Sequence, residues 1–276
     1  MTSERKAFYI DGHRAARVMR DGPALRVRML QRADLLIPFH RLCRVVVMGP
    51  VVWSSQALRG CIDASIPVSF LSRNGRLQET LLSPMTATCV FGIASALETC
   101  CETFDSAADG HRLWIDLVGR QAQLRYAYES GLTFYSASVA LLTAITDYRD
   151  RHYARVPHLK QFDQRILGLL KAHLLYLFHR DAFPLPWLPV LEKLRIDLVN
   201  DYASVLFWSL QQPKQRFLKR AYRRARRRGC VKAEIPLKAA PDFYESQSAL
   251  IERHFVKLLR QHYSQLREAL GCRVDY

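Results

Sequence analysis

Asp197 and Asp201 stand four residues apart, a spacing that puts two carboxylates on one face of a helix, where they could share a cation. His173 and His179 precede them at an interval of six, which is not a one-face ligand spacing such as i, i+4. Each also has a plain structural reading. The histidines can be packed or interfacial, and the aspartates can pair with Lys193 or Arg195 or cap local structure. Asp147 and Asp150 sit beside Arg149 and Arg151 and read as a solvated charge cluster. A different chemistry follows at KQRFLKRAYRRARRRG. Nine of the fifteen residues from Lys214 to Arg228 are Lys or Arg, and none is acidic. The candidate phosphate contacts are Lys214, Arg216, Lys219, Arg220, Arg223, Arg224, Arg226, Arg227 and Arg228; Arg216, Lys219, Arg220, Arg223, Arg224 and Arg227 recur at spacings of one, three and four, with Phe217, Leu218 and Tyr222 interleaved. On a helix they make one broad cationic surface. Like charges so placed repel one another unless a polyanion neutralises them, so the run reads as a grip on phosphates. Its other readings are a solvated helix face and a targeting signal. No GxGxxG, P-loop, GxSxG or HExxH motif is present, which removes nucleotide-fold, serine-hydrolase and zincin readings.

The elements that must position these residues come in two textures. Up to about residue 83 the chain reads as short strands, AFYID, ALRVRML, RVVVMG and PVSFLS, separated by Asp11-Gly12, Asp21-Gly22-Pro23, Gly49-Pro50 and Asn74-Gly75. In ALRVRML, Leu25, Val27 and Met29 alternate with Arg26 and Arg28, the pattern of a half-exposed strand. SSQALRGCIDA is a short helix capped by Ser54 or Ser55, with Leu58, Cys61 and Ile62 on one face. After Pro84 periods of three to four take over, and six segments read as helices. One is GHRLWIDLVGRQAQLRYAYES, with a stripe of Leu113, Leu117 and Leu124 and with Trp114 and Val118 beside it. Another runs WLPVLEKLRIDLVNDYASVLFWSL from Trp187 and holds both aspartates. The expected architecture is α+β: a small N-terminal β-sandwich domain over residues 1–84, then a larger α-helical domain over 85–276.

Composition bounds the rest. At 276 residues with 49% hydrophobic and 24% charged residues, the chain can bury a core of ordinary size. A net charge of +16 speaks to partners, with nucleic acid leading and an anionic membrane second. Seven cysteines with no CxxC pair argue against a disulfide framework or a zinc knuckle and for a reducing compartment. No apolar h-region opens the chain and no apolar stretch reaches the roughly 18 residues of a membrane span, so a soluble, cytoplasmic protein is expected.

The order of elements in the N-terminal third resembles that of the CRISPR-associated spacer-acquisition integrases. The resemblance rests on Ile37-Pro38, Val46-Val47, Gly49, Val52, Ser54-Ser55, Ala57-Leu58, Ile66-Pro67-Val68, Phe70-Leu71 and Gly75. It continues over Asp109 to Ala127, where Arg120 and Gln121 stand near a Lys and a Gln of the family, and reappears over Leu194 to Leu210. It implies a β domain that dimerises and a helical domain that handles DNA. Members of the family bind a divalent metal, Mg2+ or Mn2+, through a Glu, a His and a second acidic residue, and the metal activates a DNA 3′ hydroxyl.

Those ligands do not fall into place here. Asp197 matches the family's non-ligand Asp, and the ligand carboxylate three residues later becomes Asn200, a neutral amide with one carbonyl oxygen. Where the family has its His, this chain reads FPLPWLP, and the upstream helix has Asp147 and Asp150 but no Glu. A shifted alignment would rebuild a site from His173, His179, Asp181, Glu192, Asp197 and Asp201. Three expectations follow. One is an integrase-like DNA-binding subunit with a degenerate metal site, no cofactor, and a role in antiviral defence. The second is an active Mg2+- or Mn2+-dependent endonuclease or integrase. The third is a structural adaptor for a reverse transcriptase or the family's small ferredoxin-fold subunit. DNA, or RNA, and a second copy in a homodimer are the expected partners.

Overall fold

The computed structural model describes residues 5–83, 107–132, 138–153, 159–180, 196–227 and 239–269. The chain divides into two compact units, Met1–Thr88 with Asp163–Ala182, and Cys89–Phe162 with Phe183–Tyr276. Residues 163–182, expected with the helical part, thus group with the β-rich part.

Among the described residues, the first unit holds eight strands: β1 (Lys6–Asp11), β2 (Ala15–Asp21), β3 (Ala24–Met29), β4 (Leu35–Pro38), β5 (Leu42–Met48), β6 (Val52–Trp53), β7 (Val68–Leu71) and β8 (Leu77–Leu81). They form two four-stranded sheets, ordered β1-β5-β7-β8 and β4-β3-β2-β6. Strand β3 alternates as its sequence demands, with Leu25 and Val27 buried and Arg26 and Arg28 exposed. Val18, Leu25 and Val27 of one sheet share a core with Ile10, Val45, Val47 and Val68 of the other, so the two sheets close on each other. Helix α1 (Ser55–Asp63) lies in the connection from β5 to the parallel strand β7. Ser54 caps it by accepting from the Ala57 N–H, and Ala57, Gly60 and Cys61 are its buried stripe, with Leu58 and Ile62 half-buried beside it. Gly75 takes φ +83° in the turn of the antiparallel β7–β8 hairpin, a conformation that suits glycine.

Helix α4 (Leu159–Arg180) contributes its residues from 163 onward to this unit. Ile166, Leu169, Leu170, Leu174, Leu177 and Phe178 are buried, more than one face of a surface helix would hide. Gly168 meets the β7–β8 turn: a Cβ there would fall on the Gly75 carbonyl oxygen, far inside van der Waals contact. Arg165 Nη2 donates to the Arg73 carbonyl at 3.0 Å.

The second unit is helical. It contains α2 (Ala107–Glu129), α3 (Ser138–Tyr153), α5 (Leu198–Ser209), α6 (Gln211–Arg227), α7 (Ala239–Glu245) and α8 (Ser248–Ala269). The buried face of α2 is not the leucine stripe. His111, Trp114, Val118, Tyr126 and Ala127 turn inward, while Leu113 and Leu117 are 71% and 54% exposed. The indole decides the rotation: Trp114 stacks on the His262 ring, with centroids 4.2 Å apart and planes within 10°. A ring of that size buries more area than a leucine. The described part of the aspartate-bearing helix also differs from expectation. It starts at Leu198, with Asp197 outside it as the N-cap, because a short carboxylate competes for backbone N–H groups. Among the described residues, no helix is long and apolar enough to cross a membrane.

Candidate nucleic-acid interface and a buried histidine chain

Helix α6 carries most of the basic run and splits it cleanly. Gln211, Lys214, Gln215 and Leu218, at i, i+3, i+4 and i+7, are buried. Arg216, Lys219, Arg220, Arg223, Arg224 and Arg227 are exposed. Lys214, expected among the phosphate contacts, is therefore not on the cationic face. Only 3% of it is exposed, and its ammonium lies 5.4 Å from the Phe207 ring centroid, as a cation over a π face. Leu218 and Phe217 are anchors instead of surface residues: Leu218 is buried, and Phe217 stacks with Phe162 and packs against Phe243. Gln215 donates to the Tyr126 hydroxyl, and Gln212 Nε2 donates to Ser130 Oγ at 2.9 Å. These contacts fix the rotation of α6 and leave the arginines outward. Among the described residues, none of the six exposed cations is in an ion pair. The side chains of Tyr222 and Arg226, and the whole of Arg228, lie outside what is described.

The four candidate metal or catalytic residues divide between the units. In the first, His173 is buried with its ring 6.0 Å from that of Tyr176. His179 shares a 3.0 Å hydrogen bond with Ser83 Oγ, and burial pulls its pKa below the ordinary histidine value. In the second, Asp197 stands as the N-cap of α5, one turn before Asp201. Its carboxylate accepts from the Asn200 N–H at 3.0 Å and from the Asn200 side-chain amide. Asn200, at the position the resemblance gives to the ligand carboxylate, thus uses its amide on a neighbour. Asp147 is exposed, and its carbonyl accepts from Arg151 Nε at 3.2 Å; the Asp150 side chain, Asp181 and Glu192 lie outside what is described. Among the described residues, no three His, Cys, Asp or Glu side chains come together as a metal site.

Asp201 has a different role. Its Oδ2 is 2.9 Å from His111 Nε2; His111 Nδ1 is 3.2 Å from His262 Nε2; His262 Nδ1 is 3.0 Å from the Tyr202 hydroxyl. The two imidazoles and the phenol are buried, and the Asp201 side chain is 30% exposed. Proton positions follow from the carboxylate end. An ionised carboxylate only accepts, so His111 donates from Nε2 and, when neutral, accepts at Nδ1. His262 then donates from Nε2 and accepts the Tyr202 O–H at Nδ1. Burial first, and then the neighbouring His111, hold His262 down to a pKa of about 3, so it is neutral at pH 7. Burial and then Asp201 push the Tyr202 hydroxyl well above its usual range. The result is a one-directional chain from Tyr202 to Asp201 joining α2, α5 and α8.

Sequence reasoning missed His111 and His262, and placed Trp114 only beside the leucine stripe. Three helices supply the chain, so no local spacing reveals it. One signal existed: His262 occupies the i+7 position after Phe255, Leu258 and Leu259, an apolar register that places it inside.

Comparison with known proteins adds to this geometry. Residues 8–95 match the family model described as CRISPR associated protein Cas1. No curated protein matches the chain. A CAS1 protein from Thermotoga maritima superposes with a TM-score of 0.66 and 13% identity, over 98% of this chain and 98% of that one. A casposase bound to integration product superposes at 0.58 with 13% identity, over 94% of this chain and 91% of the other. A chain of a Cas6-RT-Cas1–Cas2 complex superposes at 0.56 with 12% identity, over 96% of this chain and 36% of that one. At these identities the likeness establishes the fold.

Proposed function

We infer that this chain, which has the Cas1 fold and matches the Cas1 family model over residues 8–95, serves CRISPR adaptation as a subunit that holds nucleic acid and assembles with partners. The observation that carries this is the face of α6. Arg216, Lys219, Arg220, Arg223, Arg224 and Arg227 point outward, and the opposite side is held by the Lys214, Gln215 and Leu218 stripe. Guanidinium groups at helical spacing suit successive phosphates, which add affinity without sequence information. DNA is the polyanion proposed, with RNA as the comparison.

The same reading assigns no metal-dependent catalysis to the chain. Its support is the pair Asp197 and Asn200: an amide stands where the family has its ligand carboxylate, and the nearby carboxylates are engaged by Asn200 and His111. The superposition on a chain of a Cas6-RT-Cas1–Cas2 complex supports a partner of the reverse transcriptase or small-subunit kind. A homodimer through the β-rich unit is proposed on the family resemblance, and a cytoplasmic location on the same ground.

The experiment is duplex binding by the full chain and by the variant R220Q/R223Q/R224Q/R227Q, at several salt concentrations. The expected outcome is at least a tenfold loss for the variant, with strong salt dependence in the native chain. Binding that ignores both salt and the substitutions sinks the proposal. Strand transfer in Mn2+ that is abolished by Asp197→Ala or Asp201→Ala would instead establish an active integrase.

A further inference from the structure

A second cationic feature lies away from the arginine face. Helices α2, α5 and α8 enclose a pocket of about 90 Å³, where one water needs roughly 10–15 Å³ of such volume. Its polar lining is Gln121, Arg125, Ser209, His254, Lys257 and Gln261, and its lining residues include no acid. Every one of those side chains can donate a hydrogen bond, and Arg125 and Lys257 carry fixed positive charge. His254 Nδ1 is tied to Ser209 Oγ at 3.0 Å, so the ring is held in place. The charges gather there in earnest. The His254 pKa is lowered by burial first and then by Arg125, Arg253 and Lys257, with Glu129 acting the other way.

A larger open groove of about 410 Å³ shares Val118, Gln121 and Gln261 with this pocket and adds Arg260, Ser264 and Gln265 beside Trp114 and the exposed Leu117. A free anion needs only the first pocket. A strand needs both: a charged seat for one phosphate and an adjoining surface with donors and an apolar floor for the next sugar and base.

We propose that this pocket holds one phosphate group of a nucleic-acid strand, at a place distinct from the α6 face. The proposal deepens the nucleic-acid reading above and rests on it. The guanidinium of Arg125 offers a planar fork and Lys257 a point charge, the two kinds of cation that phosphate oxygens take. Gln121 and Gln261 come from opposite walls, α2 and α8, so an oxyanion between them would bridge the two helices.

The probe is inorganic phosphate, at ionic strength held constant with chloride, followed through the His254 imidazole resonances of the full chain. The resonances are expected to move on titration, and apparent affinity is expected to fall at least tenfold in Arg125→Gln and in Lys257→Gln. Both substituted side chains are exposed, so folding is preserved and circular dichroism checks it. A single-stranded oligonucleotide is then expected to displace the phosphate. Greater potency of the 5′-phosphorylated strand assigns the seat to a strand end, and equal potency of the 5′-hydroxyl strand assigns it to an internal phosphodiester. Resonances that do not move, that move in both variants just as they do in the native chain, or that no oligonucleotide reverses would overturn the proposal. The α6 variant R220Q/R223Q/R224Q/R227Q keeps the pocket intact. Loss of the phosphate response with α6-dependent duplex binding preserved would therefore count against this site alone.

Discussion

His262 is neutral because it is enclosed by Trp114, His111 and Tyr202, none of which favours a charge at that place. Its folded pKa of about 3 lies below the ordinary histidine value of 6.5. The unfolded chain therefore takes up a proton that the folded chain refuses. The stability this residue carries is complete above pH 6.5 and declines as the pH falls toward about 3. The decline is at most about 1.4 kcal/mol per pH unit. Denaturant unfolding at pH 7 and pH 5 should show the loss, and His262→Gln should flatten it; equal slopes in the two proteins would contradict the assignment. Asp197 makes a simpler prediction. As the N-cap of α5 it accepts from the Asn200 N–H, so Asp197→Ala should cost about 1 kcal/mol of stability. Duplex binding at neutral pH should be unchanged by it. A drop in binding without a drop in stability would mean that Asp197 touches nucleic acid.

At the scale of elements, α4 and α6 show opposite uses of a helix. Helix α4 comes so close to the β7–β8 turn that Gly168 has no room for a methyl group. Gly168→Ala must push the turn or the helix aside, at the upper end of the ~1–3 kcal/mol typical of overpacking. Thermal unfolding would read this, and an unchanged midpoint would mean the approach is looser than described. Helix α6 instead buries polar side chains to hold one rotation. Gln215→Leu removes the bond to the Tyr126 hydroxyl and leaves that oxygen without this donor, at a cost of about 1–3 kcal/mol. The cationic face survives only if the helix keeps its rotation, so duplex binding should weaken along with stability; weakened stability with full binding would show that the face does not depend on this anchor.

For the whole molecule, a charge of +16 favours a polyanion, and the phosphates neutralised set how steeply binding answers salt. Each phosphate neutralised lowers the log–log slope by about 0.9 on duplex DNA, so removing four arginines from α6 should flatten it by about three to four. Equal slopes for the native chain and the variant would move the phosphate contacts elsewhere. Strands β1, β3, β5 and β7, the helix cap at Ser54 or Ser55, the Asn74-Gly75 turn and the alternation in β3 were legible in the sequence, whereas β2, β4 and β6 were not read from it. Each depends on residues a few positions apart, where local sterics and a period of two act alone. The outward arginines of α6 were legible for the same reason, through their helical spacing. The inward face of α2 was not, because its rotation depends on Trp114 meeting His262 about 150 residues later. Nor was Lys214's burial, since charge alone argues for the surface and the Phe207 ring under its ammonium belongs to the preceding helix. The Asp201–His111–His262–Tyr202 chain belongs to the same class: three helices meet there, and hydrogen bonds between them exist only once packing has set the helices side by side. The sequence by itself determined the periods, the turns, the charge and the family likeness. Tertiary structure alone decided which polar residues lie inside, because burial is a property of contacts between distant segments and not of the segment that carries the residue.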